Sequence, residues 1–121
     1  MAVTTATDVA RHLERHLREQ GCQSLLYYGD LVAEFEDLPP LNGAWSSHPL
    51  CQLFDELDRE DAAMGRPFRT ALVVSRKENL PGKGFFEAYA KYANKGKRIA
   101  SGDRTVVHAA QLKALAALYA K

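Results

Sequence analysis

Cysteine is scarce in this chain: Cys22 and Cys51 are the only 2 among 121 residues, so a disulfide framework is excluded and at most one bridge is possible. Neither belongs to a Cys-x-x-Cys pair, and the 4 histidines, at positions 12, 16, 48 and 108, are too scattered to complete a metal-site spacing. His12 and His16 lie one helical turn apart but lack the third ligand and glutamate of a zincin, so they read as a solvated helix face. No metal and no cofactor is expected. No apolar run nears the roughly 18 residues that span a bilayer, and Met1-Ala2-Val3-Thr4-Thr5 lacks the basic and apolar regions of a signal peptide. A membrane partner is therefore not expected. The expectation is a cytoplasmic protein with reduced thiols.

Internal repeats and low-complexity tracts are also missing, which leaves one ordinary globular unit spanning 1–121. Its 46% apolar and 26% charged residues are enough to build one hydrophobic core. Net charge is only +1, yet residues 1–65 carry 12 acids against 4 bases and residues 66–121 carry 12 bases against 3 acids. That asymmetry points either to a polyanion contact on the basic half or to neutralisation of one half by the other inside the fold.

Periodicity divides the chain into short elements. Val9, Leu13 and Leu17 predict a helix over Thr5 to Gln20, stopped by Gly21. Gln23 to Tyr28 reads as a strand feeding a short helix, Leu31 to Phe35, with Asp30 as its cap; Pro39-Pro40 forces a turn. A third helix is predicted from about His48 to Ala63, capped by Ser46 or Ser47, with Pro49 in its first turn and Leu50, Leu53, Phe54 and Leu57 on its apolar face. Asp55, Glu56, Asp58, Glu60 and Asp61 crowd its second half and read as a solvated face. Thr70 to Ser75 is β-prone. The turn-rich basic stretch Arg76 to Gly84 and the apolar return Phe85-Phe86 follow as a wing would. A helix over Phe85 to Ala93, a flexible basic link Asn94 to Arg98 and a final helix from Arg104 to Lys121 complete the chain. Asp103 is the expected cap of that helix, and Val107, Ala110, Leu112, Leu115 and Leu118 its apolar face. Aromatics at helical spacing are more often core, but the sequence does not separate exposed from core positions among Trp45, Tyr89 and Tyr92. The predicted fold class is α+β and mostly helical: a winged helix-turn-helix core with a small β wing and added C-terminal helices.

Two segments carry a resemblance. Tyr28-Gly29-Asp30-Leu31-Val32 resembles the strand-to-helix junction in the DNA-binding half of the alkylguanine alkyltransferases and alkyltransferase-like proteins. Val73-Val74-Ser75-Arg76-Lys77-Glu78-Asn79-Leu80-Pro81-Gly82 is similar to the segment that follows the reactive centre in that family. The reactive Pro-Cys-His-Arg motif is absent, and the chain reads Arg69-Thr70-Ala71-Leu72 before the similar segment. The resemblance thus implies a winged-helix domain that recognises nucleotides without covalent chemistry.

No catalytic residue is expected, and the chain is not expected to be an enzyme. Cys51 sits among helical leucines as a small hydrophobe, and Cys22 has no neighbour that would lower its pKa. Ser47-His48 lacks an orienting third group, and Leu80-Pro81-Gly82-Lys83-Gly84 lacks the spacing that wraps phosphates. Two binding functions remain. In the first, double-stranded DNA meets Tyr28, Trp45, Ser46, Ser47 and His48, while Arg76, Lys77, Lys83, Lys95, Lys97 and Arg98 hold phosphates. In the second, Asp55, Asp58 and Asp61 dock on a basic protein partner.

Overall fold

Helix α1 runs Ala6–Gln20 because both its ends are fixed locally. The Thr5 hydroxyl accepts from the Asp8 amide at 3.2 Å, and the Asp8 carboxylate accepts from the Thr5 amide at 3.0 Å, a reciprocal cap. At the other end Gly21 takes φ +65 and donates its amide to the Leu17 carbonyl. The computed structural model describes residues 3–41 and 48–119. Val9, Ala10, Leu13 and Leu17 form the buried stripe of α1, and a fully buried leucine such as Leu13 contributes roughly 1.5–3 kcal/mol.

The remaining elements are β1 (Leu26–Tyr27), α2 (Tyr28–Ala33), α3 (Pro49–Ala63), a 3₁₀ turn at Arg69–Leu72, β2 (Val73–Val74), α4 (Lys83–Ala93), a 3₁₀ turn at Ser101–Asp103 and α5 (Arg104–Leu118). The protein is a small, mostly helical α+β structure whose described strands form one two-stranded sheet. These strands pair in parallel, Leu26 opposite Val73 and Tyr27 opposite Val74. Helix α3 packs against both α1 and α4, and the 3₁₀ turn at 69–72 touches α1, α3 and α5. One hydrophobic cluster joins all five helices. Tyr89 and Tyr92 are partly buried against it, Tyr89 edge-on to Phe68, whereas Trp45 lies outside the described residues.

Several expected boundaries move. The strand expected over 23–28 shrinks to two residues, and α2 begins at Tyr28, so Asp30 sits in its first turn instead of capping it. Helix α2 ends before Phe35. The β-prone stretch from Thr70 is a 3₁₀ turn up to Leu72 and a strand only at Val73–Val74. Phe85 and Phe86, expected as the return of a wing, lie in the first turn of α4, buried side by side with rings 5.1 Å apart. The link at 94–98 is a bonded turn: Gly96 donates to the Ala90 carbonyl at 2.7 Å and the Asn94 amide to the Lys97 carbonyl at 2.8 Å. Asp103 precedes α5 but makes no capping bond through its side chain. On α5 only His108 and Leu115 are buried, while Ala110 and Leu118 are exposed.

Candidate nucleic-acid interface

The acidic half of α3 faces inward. Asp61 is fully buried; one carboxylate oxygen accepts from the Arg69 amide at 3.0 Å and from its Nε at 3.2 Å, the other from Arg66 Nε at 3.2 Å. Arg69, also buried, reaches Glu60 at 3.2 Å and Glu14 of α1 at 3.7 Å. Burial alone would lower the Arg69 pKa, but the Asp61 bond and charge outweigh it and raise the value. Asp58, 2% exposed, accepts from the Thr70 hydroxyl at 2.5 Å. Burial pushes its carboxyl well above the usual range, and the charges of Asp61 and Asp55 push the same way. Asp55 stays half-buried, accepting from the Tyr92 hydroxyl at 2.9 Å and pairing with Arg59 at 3.3 Å. The expected solvated face is therefore corrected at Asp58 and Asp61, which share the stripe of Leu50, Phe54 and Leu57.

His48 is likewise structural. It is 6% exposed; its Nδ1 accepts from the Leu50 amide at 3.1 Å, which leaves Nε2 to donate to the Pro39 carbonyl at 2.8 Å. His48 itself, not Ser46 or Ser47, caps α3, and it is not presented to a groove. Trp45, Ser46 and Ser47 lie outside the described residues. The Tyr28 hydroxyl accepts from the Gly82 amide at 2.8 Å, and burial pushes its pKa up to about 12. Tyr28, Phe54, Asp58 and Phe85 line a cleft of about 550 Å³ between α3 and α4 that the sequence did not reveal.

Both cysteines are free thiols. Burial raises the pKa of each, and Asp55 and Glu87 raise that of Cys51 further, the opposite direction from the one that favours a thiolate. Among the described residues no group of three or more His, Cys, Asp or Glu could hold a metal ion, and no helix is long and apolar enough to cross a membrane.

The cations of the second half divide in two. Arg66 and Arg69 are spent on Asp61 and Glu60, and Arg76 grips Asp30 of α2 through one nitrogen at 3.0 and 2.9 Å while lying 4.3 Å from the Tyr27 ring centre. Lys83 approaches Glu87 at 3.6 Å. Lys77, Lys95, Lys97 and Arg98 are exposed and form no ion pair among the described residues. Arg98 meets Lys83, Lys91 and Arg104 around an open cavity of about 670 Å³ between α4 and α5. Lys91 and Arg104 were not singled out from sequence, although Lys83, Glu87 and Lys91 recur at the four-residue spacing of one helix face.

Compared with protein-family models, curated proteins and solved structures, the chain finds no match.

Proposed function

We propose that the protein is a non-catalytic DNA-binding module that holds the phosphate backbone of a duplex on the surface formed by α4, the 94–98 turn and the start of α5. The observation that carries this reading is the set of exposed, unneutralised cations at Lys95, Lys97 and Arg98. They continue into the Lys83, Lys91 and Arg104 cavity, where Glu87 is the one carboxylate in the lining. A winged-helix arrangement is part of the proposal, with α2 and α3 as the helix pair and residues 75–82 as the wing. In its support, the two segments that resemble alkyltransferase-like proteins meet in space: the Gly82 bond to Tyr28 and the Arg76 grip on Asp30 join them, beside the parallel pairing of Leu26 and Tyr27 with Val73 and Val74. The absence of covalent chemistry is supported by the raised thiol pKa values and by Thr70, whose hydroxyl is committed to Asp58. Free thiols fit a cytoplasmic location.

Docking of a basic protein on α3 is the weaker reading, because Asp58 and Asp61 are buried and already bonded. The DNA reading is tested by fluorescence anisotropy of a labelled duplex at several salt concentrations. Replacing Lys95, Lys97 and Arg98 together with Ala should weaken binding across sequences and flatten the logarithmic salt slope by about one unit per lost contact. Wild-type affinity and slope in that variant would remove this surface from the interface.

A further inference from the structure

The cavity between α4 and α5 asks for more than a backbone contact. Lys83 and Lys91 stand two turns apart on α4, Arg98 follows the bonded turn, and Arg104 opens α5, so four cationic residues line one space, with the Lys91 ammonium 5.2 Å from the Tyr92 ring centre. Ammonium and guanidinium groups only donate hydrogen bonds, and the one carboxylate in the lining, Glu87, is already 3.6 Å from Lys83. The Nε of Arg104 is buried and has no acceptor among the described residues, a state that proteins rarely leave uncorrected. Its guanidinium lies 5.2 Å from the Phe86 ring centre, within cation–π range. No side chain caps the start of α5, whose first amide, that of Arg104, donates to the Ser101 carbonyl. At about 670 Å³ the space exceeds a bare phosphate and suits a small organic molecule, with Phe86, Ala90 and Ile99 as an apolar wall.

We propose that this cavity seats a phosphomonoester, carried either by a free nucleotide or by the phosphorylated end of a nucleic-acid strand, with Lys83, Lys91, Arg98 and Arg104 as its ligands. A phosphomonoester is close to doubly charged near neutral pH and has three terminal oxygens, whereas a backbone diester carries one charge and offers two oxygens. Four cationic donors match the former. The phosphate lies among the cationic residues, and the nucleoside lies toward Ala90 and Ile99.

Calorimetric titration of the full chain with AMP and with adenosine tests this. AMP should bind and adenosine should not, and Lys91→Ala and Arg98→Ala, both at exposed positions, should each weaken AMP by at least about tenfold, as loss of a charge-assisted contact predicts. Arg104→Lys should weaken it too, because an ammonium cannot reproduce the planar fork. In parallel, anisotropy compares one oligonucleotide with a 5′-phosphate or a 5′-hydroxyl. AMP binding together with tighter binding of the phosphorylated strand assigns the cavity to strand ends, and AMP binding without that preference assigns it to free nucleotides; both support the site. Absence of AMP binding, equal binding of AMP and adenosine, or indifference to all three substitutions overturns it. If AMP fails while a 5′-hydroxyl duplex still binds with salt sensitivity, the cavity proposal falls and the DNA interface stands.

Discussion

A carboxylate one turn along from a buried apolar residue must follow it inward, as Asp58 and Asp61 do four positions after Phe54 and Leu57. Their burial was legible in the spacing, but the local density of acidic residues suggested solvent. What the sequence could not display is the partner: Thr70 and Arg69 reach these carboxylates only after the chain turns back at Gly65. Burial raises the Asp58 pKa above the 3.8 of its ordinary value. Above that ordinary value the folded chain binds the more protons, so its stability falls as pH rises toward the raised folded value. Asp58→Asn keeps an acceptor for the Thr70 hydroxyl and carries no titrating group. Urea melts from pH 4 to 8 should therefore show this component of the fall in the parent and not in the variant; equal pH dependence in the two would assign the titration to another group.

Elements with local instructions have legible limits in the sequence, whereas those made by tertiary contact are legible in place but not in extent. Helix α1 carries its own cap, stripe and terminal glycine, so its limits match within a residue. By contrast β1 and β2 are two residues each and exist only because each finds the other, which shortens the expected strands and lets α2 start at Tyr28. On helix α5 the expected face holds at Leu115, Val107 and Leu112, which lie in or against the core, and fails at Ala110 and Leu118, while the polar His108 is buried in their place. The start of α3 depends on one side chain, since His48 both caps the helix and ties it to Pro39. His48→Ala should cost about 0.5–2 kcal/mol, the range for a lost N-cap, measurable as a lower urea midpoint with an unchanged slope.

For the whole molecule, the contrast between an acidic and a basic half is partly resolved within the fold. Arg66, Arg69 and Arg76 meet acids of the first half, while the lysines at 77, 95 and 97 meet none among the described residues. Sequence showed that imbalance but not which cations were spent. Arg69 is central to this, joining Glu14 of α1 and Asp61 of α3 to the turn that precedes β2. Asp61→Ala, which leaves that guanidinium buried without its main partner, should destabilise by about 3–5 kcal/mol in chemical denaturation. A loss under 1 kcal/mol would mean that Glu14 and Glu60 suffice. The parallel strand pair bears on time as well as on stability. The bonds that fasten residues 75–82 to α2 join partners 46 and 54 positions apart, Asp30 with Arg76 and Tyr28 with Gly82. Helices α1 and α3 need no such closure, so contact-order reasoning expects the strand pairing to form more slowly than their local turns.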